Sequence, residues 1–125
     1  MMKTTLFFVM VAFYLIAGIN HFVNPKAYYG LFPPYLKQYA LQLNVAAGVA
    51  EVALALLLFF PSVRPFAGYG IIAMLVAFIP AHIYMIQKGD FPMFGFTVTP
   101  AISVVRLVVF QPLLAYWAYY VAIKP

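Results

Sequence analysis

Polar side chains interrupt long apolar runs at Asn20, His21, Asn44, Glu51, His82, Arg106 and Gln111. A carboxylate, a guanidinium and two imidazoles are the groups that relay protons or hydrogen-bond a ligand oxygen. If these runs lie in lipid, each charge at mid-helix costs roughly 2.5–3.5 kcal/mol on insertion scales, so each needs a reason. Glu51 is the most demanding. It reads as a titrating or ligand-binding carboxylate, or else as a structural partner of Arg106 or a neutral acid bonded to its neighbours. Arg106 is the expected counter-charge, within reach of an arginine stem although the two differ in depth by about 7 Å. His21 and His82 lack the i, i+4 spacing of a local metal site, so no metal is expected.

The runs that carry these residues are continuous rather than alternating, and they are long. A helix crossing a hydrocarbon core of about 30 Å needs about 20 residues. Spans are expected over residues 4–22, 39–60, 66–87 and 99–121, which use most of the 125 residues and leave a single domain. The hydrophobic share is 67% and the charged share 7%, against roughly 25% charged in a soluble domain. So few charges cannot cover a water-facing surface. A transmembrane barrel would read as alternating ten-residue segments. The expected fold class is therefore all-α, an integral membrane four-helix up-down bundle, since short connections make neighbouring spans antiparallel. The charged start at Lys3 and the apolar run after it also fit a signal peptide, but their length favours a retained span.

Between the first two spans, Pro25 and the pair Pro33-Pro34 stop helices and favour an extended backbone. Tyr28, Tyr29, Tyr35 and Tyr39 suit a membrane interface. A tight turn at Pro61–Pro65 joins spans two and three, and a loop holding Lys88, Gly89, Asp90 and Pro92 joins three and four. Lys3, Arg64 and Lys124 fall at the end with both termini; Lys26, Lys37 and Lys88 fall at the other. That balance does not orient the chain.

The polar residues are distributed unevenly in depth, and the half of the spans that holds the termini contains no ionisable residue of its own. His21 and His82 lie near the ends of spans one and three, while Asn44 and Arg106 lie near the starts of spans two and four. Glu51 and Gln111 lie deeper. These positions draw a polar pocket opening away from the termini. Asn44, Ala47, Gly48, Glu51 and Ala55 occupy one helical face. Small residues on a face allow close helix approach, which points Glu51 into the bundle. Pro80 and Pro112 each free a carbonyl one turn earlier, and kinks there could widen the cavity.

The excess of Lys and Arg, 7 against 2 acids, is read as topology signals and contacts with membrane lipid headgroups, not as a nucleic-acid surface. The absence of cysteine removes disulfides and thiol relays. No nucleophile–base pair, phosphate loop or nucleotide fingerprint is present.

Ala17-Gly18-Ile19-Asn20-His21-Phe22 with Asn24-Pro25, Tyr28 and Pro33-Pro34 resembles the first hairpin of DoxX-like membrane proteins. The likeness continues through Gly48-Val49-Ala50-Glu51, Phe78-Ile79-Pro80-Ala81-His82-Ile83-Tyr84-Met85, Arg106-Leu107, Gln111 and Tyr116-Trp117-Ala118-Tyr119. The chain departs from that pattern at His82, where asparagine is common, and at Gln111, which stands one residue further on. The resemblance implies a bacterial cytoplasmic (inner) membrane protein with both termini cytoplasmic, in a family associated with redox enzymes.

Two functions follow as expectations. In the first, His21, Asn44, Glu51, His82 and Arg106 form a ligand site for a quinone or another lipophilic small molecule, in a redox-associated accessory subunit. No catalytic residue is assigned. Without cysteine or a flavin or haem signature, electrons would come from a partner membrane protein, so a stand-alone enzyme is not expected. In the second, the chain is an assembly factor or chaperone whose polar residues recognise partner helices or a second copy of itself.

Overall fold

The computed structural model describes residues 1–93 and 95–124. Among them, α1 spans Met2–Val23 and a short α2 spans Pro25–Tyr29. A 3-10 helix, Pro34–Tyr39, runs straight into α3, Ala40–Leu57. Next come α4, Arg64–Ala77, and α5, Ile79–Gln87. The strands β1, Phe91–Met93, and β2, Phe96–Val98, follow. The chain closes with α6, Pro100–Val105, a π-helical turn over Arg106–Phe110, α7, Gln111–Ala118, and a second π turn over Tyr119–Ile123. These pieces join into four long helices, Met2–Val23, Pro34–Leu57, Arg64–Gln87 and Pro100–Ile123, each long and apolar enough to cross a membrane. Each packs on its successor, and the fourth returns to the first, so the four form a closed bundle.

Prolines place many of the starts. Pro25, Pro34, Pro65 and Pro100 sit in the first turn of their elements, where the missing N–H has no intrahelical acceptor anyway, while Pro80 and Pro112 open α5 and α7 inside the long helices. Among the described residues Thr99 adds the one side-chain cap, its Oγ1 accepting from the Ile102 N–H at 3.4 Å. The second long helix ends three residues earlier than expected, at Leu57. Phe59 and Phe60 there close tighter bonds to Leu56 and Leu57, and Arg64 donates to the Leu58 carbonyl at 2.7 Å.

Two local expectations are corrected. Pro33 is extended, but Pro34 opens a 3-10 helix. The segment after Lys88 is an antiparallel hairpin rather than a loop, pairing Phe91 with Val98 and Met93 with Phe96. Gly89 (φ 80°) and Gly95 (φ 82°) supply the left-handed turns at its entry and tip. Pro92 fits because both strands of a two-stranded ribbon are edges.

The core is lopsided. Met10, Val11, Tyr14, Ala55, Leu58, Ile71, Val121 and Ala122 fill the end of the bundle that holds the termini. Trp117 Nε1 donates to the Leu6 carbonyl there at 3.0 Å. The other end has only a small cluster, Leu31, Met85, Phe91 and Val98, under the segment that joins α2 to the 3-10 helix. Lys88 ties this roof to α5, donating to the Gly30 carbonyl at 2.8 Å. Burial and the nearby Lys37 charge pull the Lys88 ammonium below its ordinary pKa. Outward faces are apolar, with Phe8, Ile16, Phe66, Val76, Val108 and Leu113 exposed.

α1 and α3 meet most closely at Gly18 and Gly48. A Cβ on Gly18 would lie 2.7 Å from Val52 Cγ2 and 3.0 Å from the Gly48 carbonyl oxygen. Backbone cannot yield as a side-chain tip can. Gly18→Val is therefore expected to destabilise the detergent-purified protein by about 1–3 kcal/mol, seen as a lower Tm. Ala12→Val, on an exposed position of the same helix, should leave Tm unchanged; equal Tm values for the two variants would refute the close contact.

Candidate functional site

Between the core and the roof lies a cavity of about 630 Å³, within the roughly 300–1,000 Å³ typical of small-ligand sites. Its wall includes Tyr14, His21, Tyr28, Glu51, His82 and Arg106, together with Gln111 and a larger apolar share. The Gly18–Gly48 contact explains how helices one and two supply the first part. It holds α1 against α3 so tightly that a Cβ on Gly48 would stand 2.9 Å from His21 Cβ.

His21 and Asn44 lock together there. Asn44 Nδ2 donates to the His21 carbonyl at 2.9 Å, which turns Oδ1 toward the imidazole. His21 Nδ1 then donates to that oxygen at 2.6 Å. Asn44 itself is 1% exposed and stands behind the wall rather than in it, so it positions His21. With Nδ1 carrying a proton, Nε2 faces Glu51 Oε2 at 3.5 Å. Two proton-free atoms facing each other would repel. One proton therefore belongs to this contact, either as imidazolium with carboxylate or as imidazole with carboxylic acid. In both forms the pair is neutral as a unit. At 3.5 Å it is a contact of charges rather than a good hydrogen bond, and Oε2 has no hydrogen-bond partner among the described residues.

Tyr28 covers His21, its ring stacked at 3.9 Å and 23°. A chain of amides holds it: Asn24 Nδ2 donates to Asn20 Oδ1 at 2.7 Å, and Asn20 Nδ2 donates to the Tyr28 hydroxyl at 2.6 Å. Burial chiefly raises the Tyr28 phenol above its ordinary pKa, with the Glu51 charge adding to this and the Asn20 bond and Arg106 opposing it. Sequence reasoning missed Tyr28 as a wall residue and treated it as interfacial. It also missed Tyr14, whose buried hydroxyl has no partner among the described residues.

The opposite wall comes from helices three and four. The third long helix breaks at Phe78, between α4 and α5, and His82 projects from α5 with Nδ1 buried and unpartnered among the described residues. α5 packs against α6 and the π turn that begins at Arg106. Gln111 donates to the Leu75 carbonyl at 3.1 Å, beside the break.

The expected Glu51–Arg106 pair is not formed. Among the described residues the only ion-pair contact is His21–Glu51. His21, Glu51, His82 and Arg106 do line one cavity, while Asn44 supports it from behind. No group of three metal-ligating side chains occurs among the described residues.

Unfolding free energies of Glu51→Ala, His21→Ala and the double variant should show a coupling of about 0.5–3 kcal/mol, as expected for touching groups. The same cycle for Glu51 and Arg106 should be additive within about 0.5 kcal/mol. Coupling to Arg106 and none to His21 would reverse the assignment made here.

No curated protein and no solved structure matches the chain. A family model described as a domain of unknown function, DUF8561, matches residues 10–122. That stretch holds the whole wall of the cavity, from Phe13 to Leu114. The chain belongs to the DUF8561 family.

Proposed function

We propose that this chain is an integral membrane protein whose intramembrane cavity binds a lipophilic small molecule drawn from the bilayer. The observation that carries this reading is the cavity itself, apolar over most of its wall yet holding the His21–Glu51 pair and Arg106. Ala46, Ala73, Ala77 and Pro80 line it and are nevertheless exposed. The cavity therefore reaches the apolar exterior between the second and third long helices, while the roof covers its end. That route suits a molecule dissolved in lipid.

A quinone is one candidate: its carbonyls accept from Arg106, and the proton shared by His21 and Glu51 lies beside it. The likeness to DoxX-like proteins supports the same reading, with the chain as an accessory subunit beside a redox partner. An assembly factor finds less support. The small residues that would recruit a partner helix, Gly18, Gly48 and Gly68, are already packed against Val52, His21 and Ala122.

Organic extraction of the purified wild type should release a lipophilic molecule near stoichiometric amount. Ala47→Phe, which narrows the cavity, should deplete it, and Arg106→Gln should weaken its retention by about tenfold, the loss of roughly one charge-assisted bond. Equal extracts from wild type and Ala47→Phe would end the pocket reading.

Topology has its own test. With both termini cytoplasmic, Asp90→Cys should react with an impermeant thiol reagent on intact cells, and Ser62→Cys only after permeabilisation. The reverse pattern would invert the orientation, and reaction of both on intact cells would refute four crossings.

A further inference from the structure

The charge of the cavity is unbalanced. The whole chain has two acidic residues, Glu51 and Asp90. Asp90 is exposed beside the hairpin and takes no part in the wall. Glu51 is engaged by His21 at 3.5 Å, and a proton on that contact leaves the pair neutral as a unit. Among the described residues Arg106 therefore has no counter-charge. It does not escape along the outside of the bundle either, because it lines the cavity while its neighbours Val105, Val108 and Val109 face outward. A guanidinium in an apolar enclosure is costly unless an opposite charge meets it, and its planar donor fork fits oxyanions.

A second group stands beside it. His82 is 5% exposed, lines the same cavity, and its Nδ1 has no partner among the described residues. A neutral imidazole protonated at Nδ1 is a donor. α5 brings it against the turn that carries Arg106. Among the described residues, a cation and a donor without acceptors of their own thus stand on packed elements in the wall of an apolar cavity whose lining includes the exposed Ala46 and Ala73.

We infer that the Arg106–His82 end is a subsite for an oxyanion head group, and that the occupant of the cavity is an acyl-chain anion. The head group bonds to Arg106 and His82, and the chain runs past Ala47 and Ala50 toward the gap between the second and third long helices. This rests on the pocket reading above and narrows its ligand class away from neutral quinones. A carboxylate of a free fatty acid and a phosphate of a lipid headgroup share the required chemistry.

The test is competition for the cavity of the detergent-purified full chain, read by native mass spectrometry. The probes are dodecanoate, 1-dodecanol, decylubiquinone and lysophosphatidylglycerol. Dodecanoate or lysophosphatidylglycerol should bind at least about tenfold more tightly than dodecanol, the worth of one charge-assisted bond. Whichever of the two anions binds tighter identifies carboxylate or phosphate as the source. Arg106→Gln should erase the preference over dodecanol, and Arg106→Lys should keep part of it. If Arg106→Gln does not fold, the wild-type ratio alone decides. Dodecanol or decylubiquinone binding as tightly as the anions would overturn the head-group inference and leave the pocket reading standing. Binding of none of the four would overturn both.

Discussion

The contact of Gly18 with Gly48 is the constraint on which the polar end of the bundle depends. With no Cβ on either residue, α1 and α3 approach until side chain meets backbone. Only at that distance can Asn44 hold His21 by both its ring and its carbonyl. Only then does the free ring nitrogen face Glu51. Packing comes first and the chemistry follows from it. A bulkier pair would separate the helices and leave a buried carboxylate without a partner, an arrangement that costs several kcal/mol.

The two ends of the bundle divide the work. Around Met10, Leu58 and Ile71 the helices interlock and exclude everything else. Toward the roof the third helix breaks at Phe78, the fourth widens at Arg106, and the space between them is not filled by side chains. The buried apolar contacts are concentrated at the end that holds the termini. The polar end is held by specific bonds: Lys88 to Gly30, Asn20 to Tyr28, Gln111 to Leu75.

Much of this could be read from residue order, and the failures have physical causes. Four apolar runs of membrane length leave little choice of element, and the spacing of Asn44, Ala47, Gly48, Glu51 and Ala55 turns that face inward, where all but the half-buried Ala47 are buried. The partner of Glu51 was misjudged because depth along a helix says nothing about direction around it. Arg106 was near enough in height, but His21 was nearer in azimuth. Tyr28 escaped notice because its place over His21 depends on the chain turning at Asn24 between two helices. The hairpin was hidden by its shortness and by Pro92, which argues against a strand unless both strands are edges.

The wide turn at Arg106 has a consequence for how the fourth helix keeps its phase. Residues five apart on an α-helix point about 140° away from each other, so Arg106 and Gln111 would face different neighbours. A turn closed by i→i+5 bonds, such as the Gln111 N–H to the Arg106 carbonyl, brings them close to one line. Both then look into the same cavity. The turn works as a phase corrector for the fourth helix. Gln111 can thus stand five residues after Arg106 and still reach the site, while the helix beyond it resumes its course toward the core.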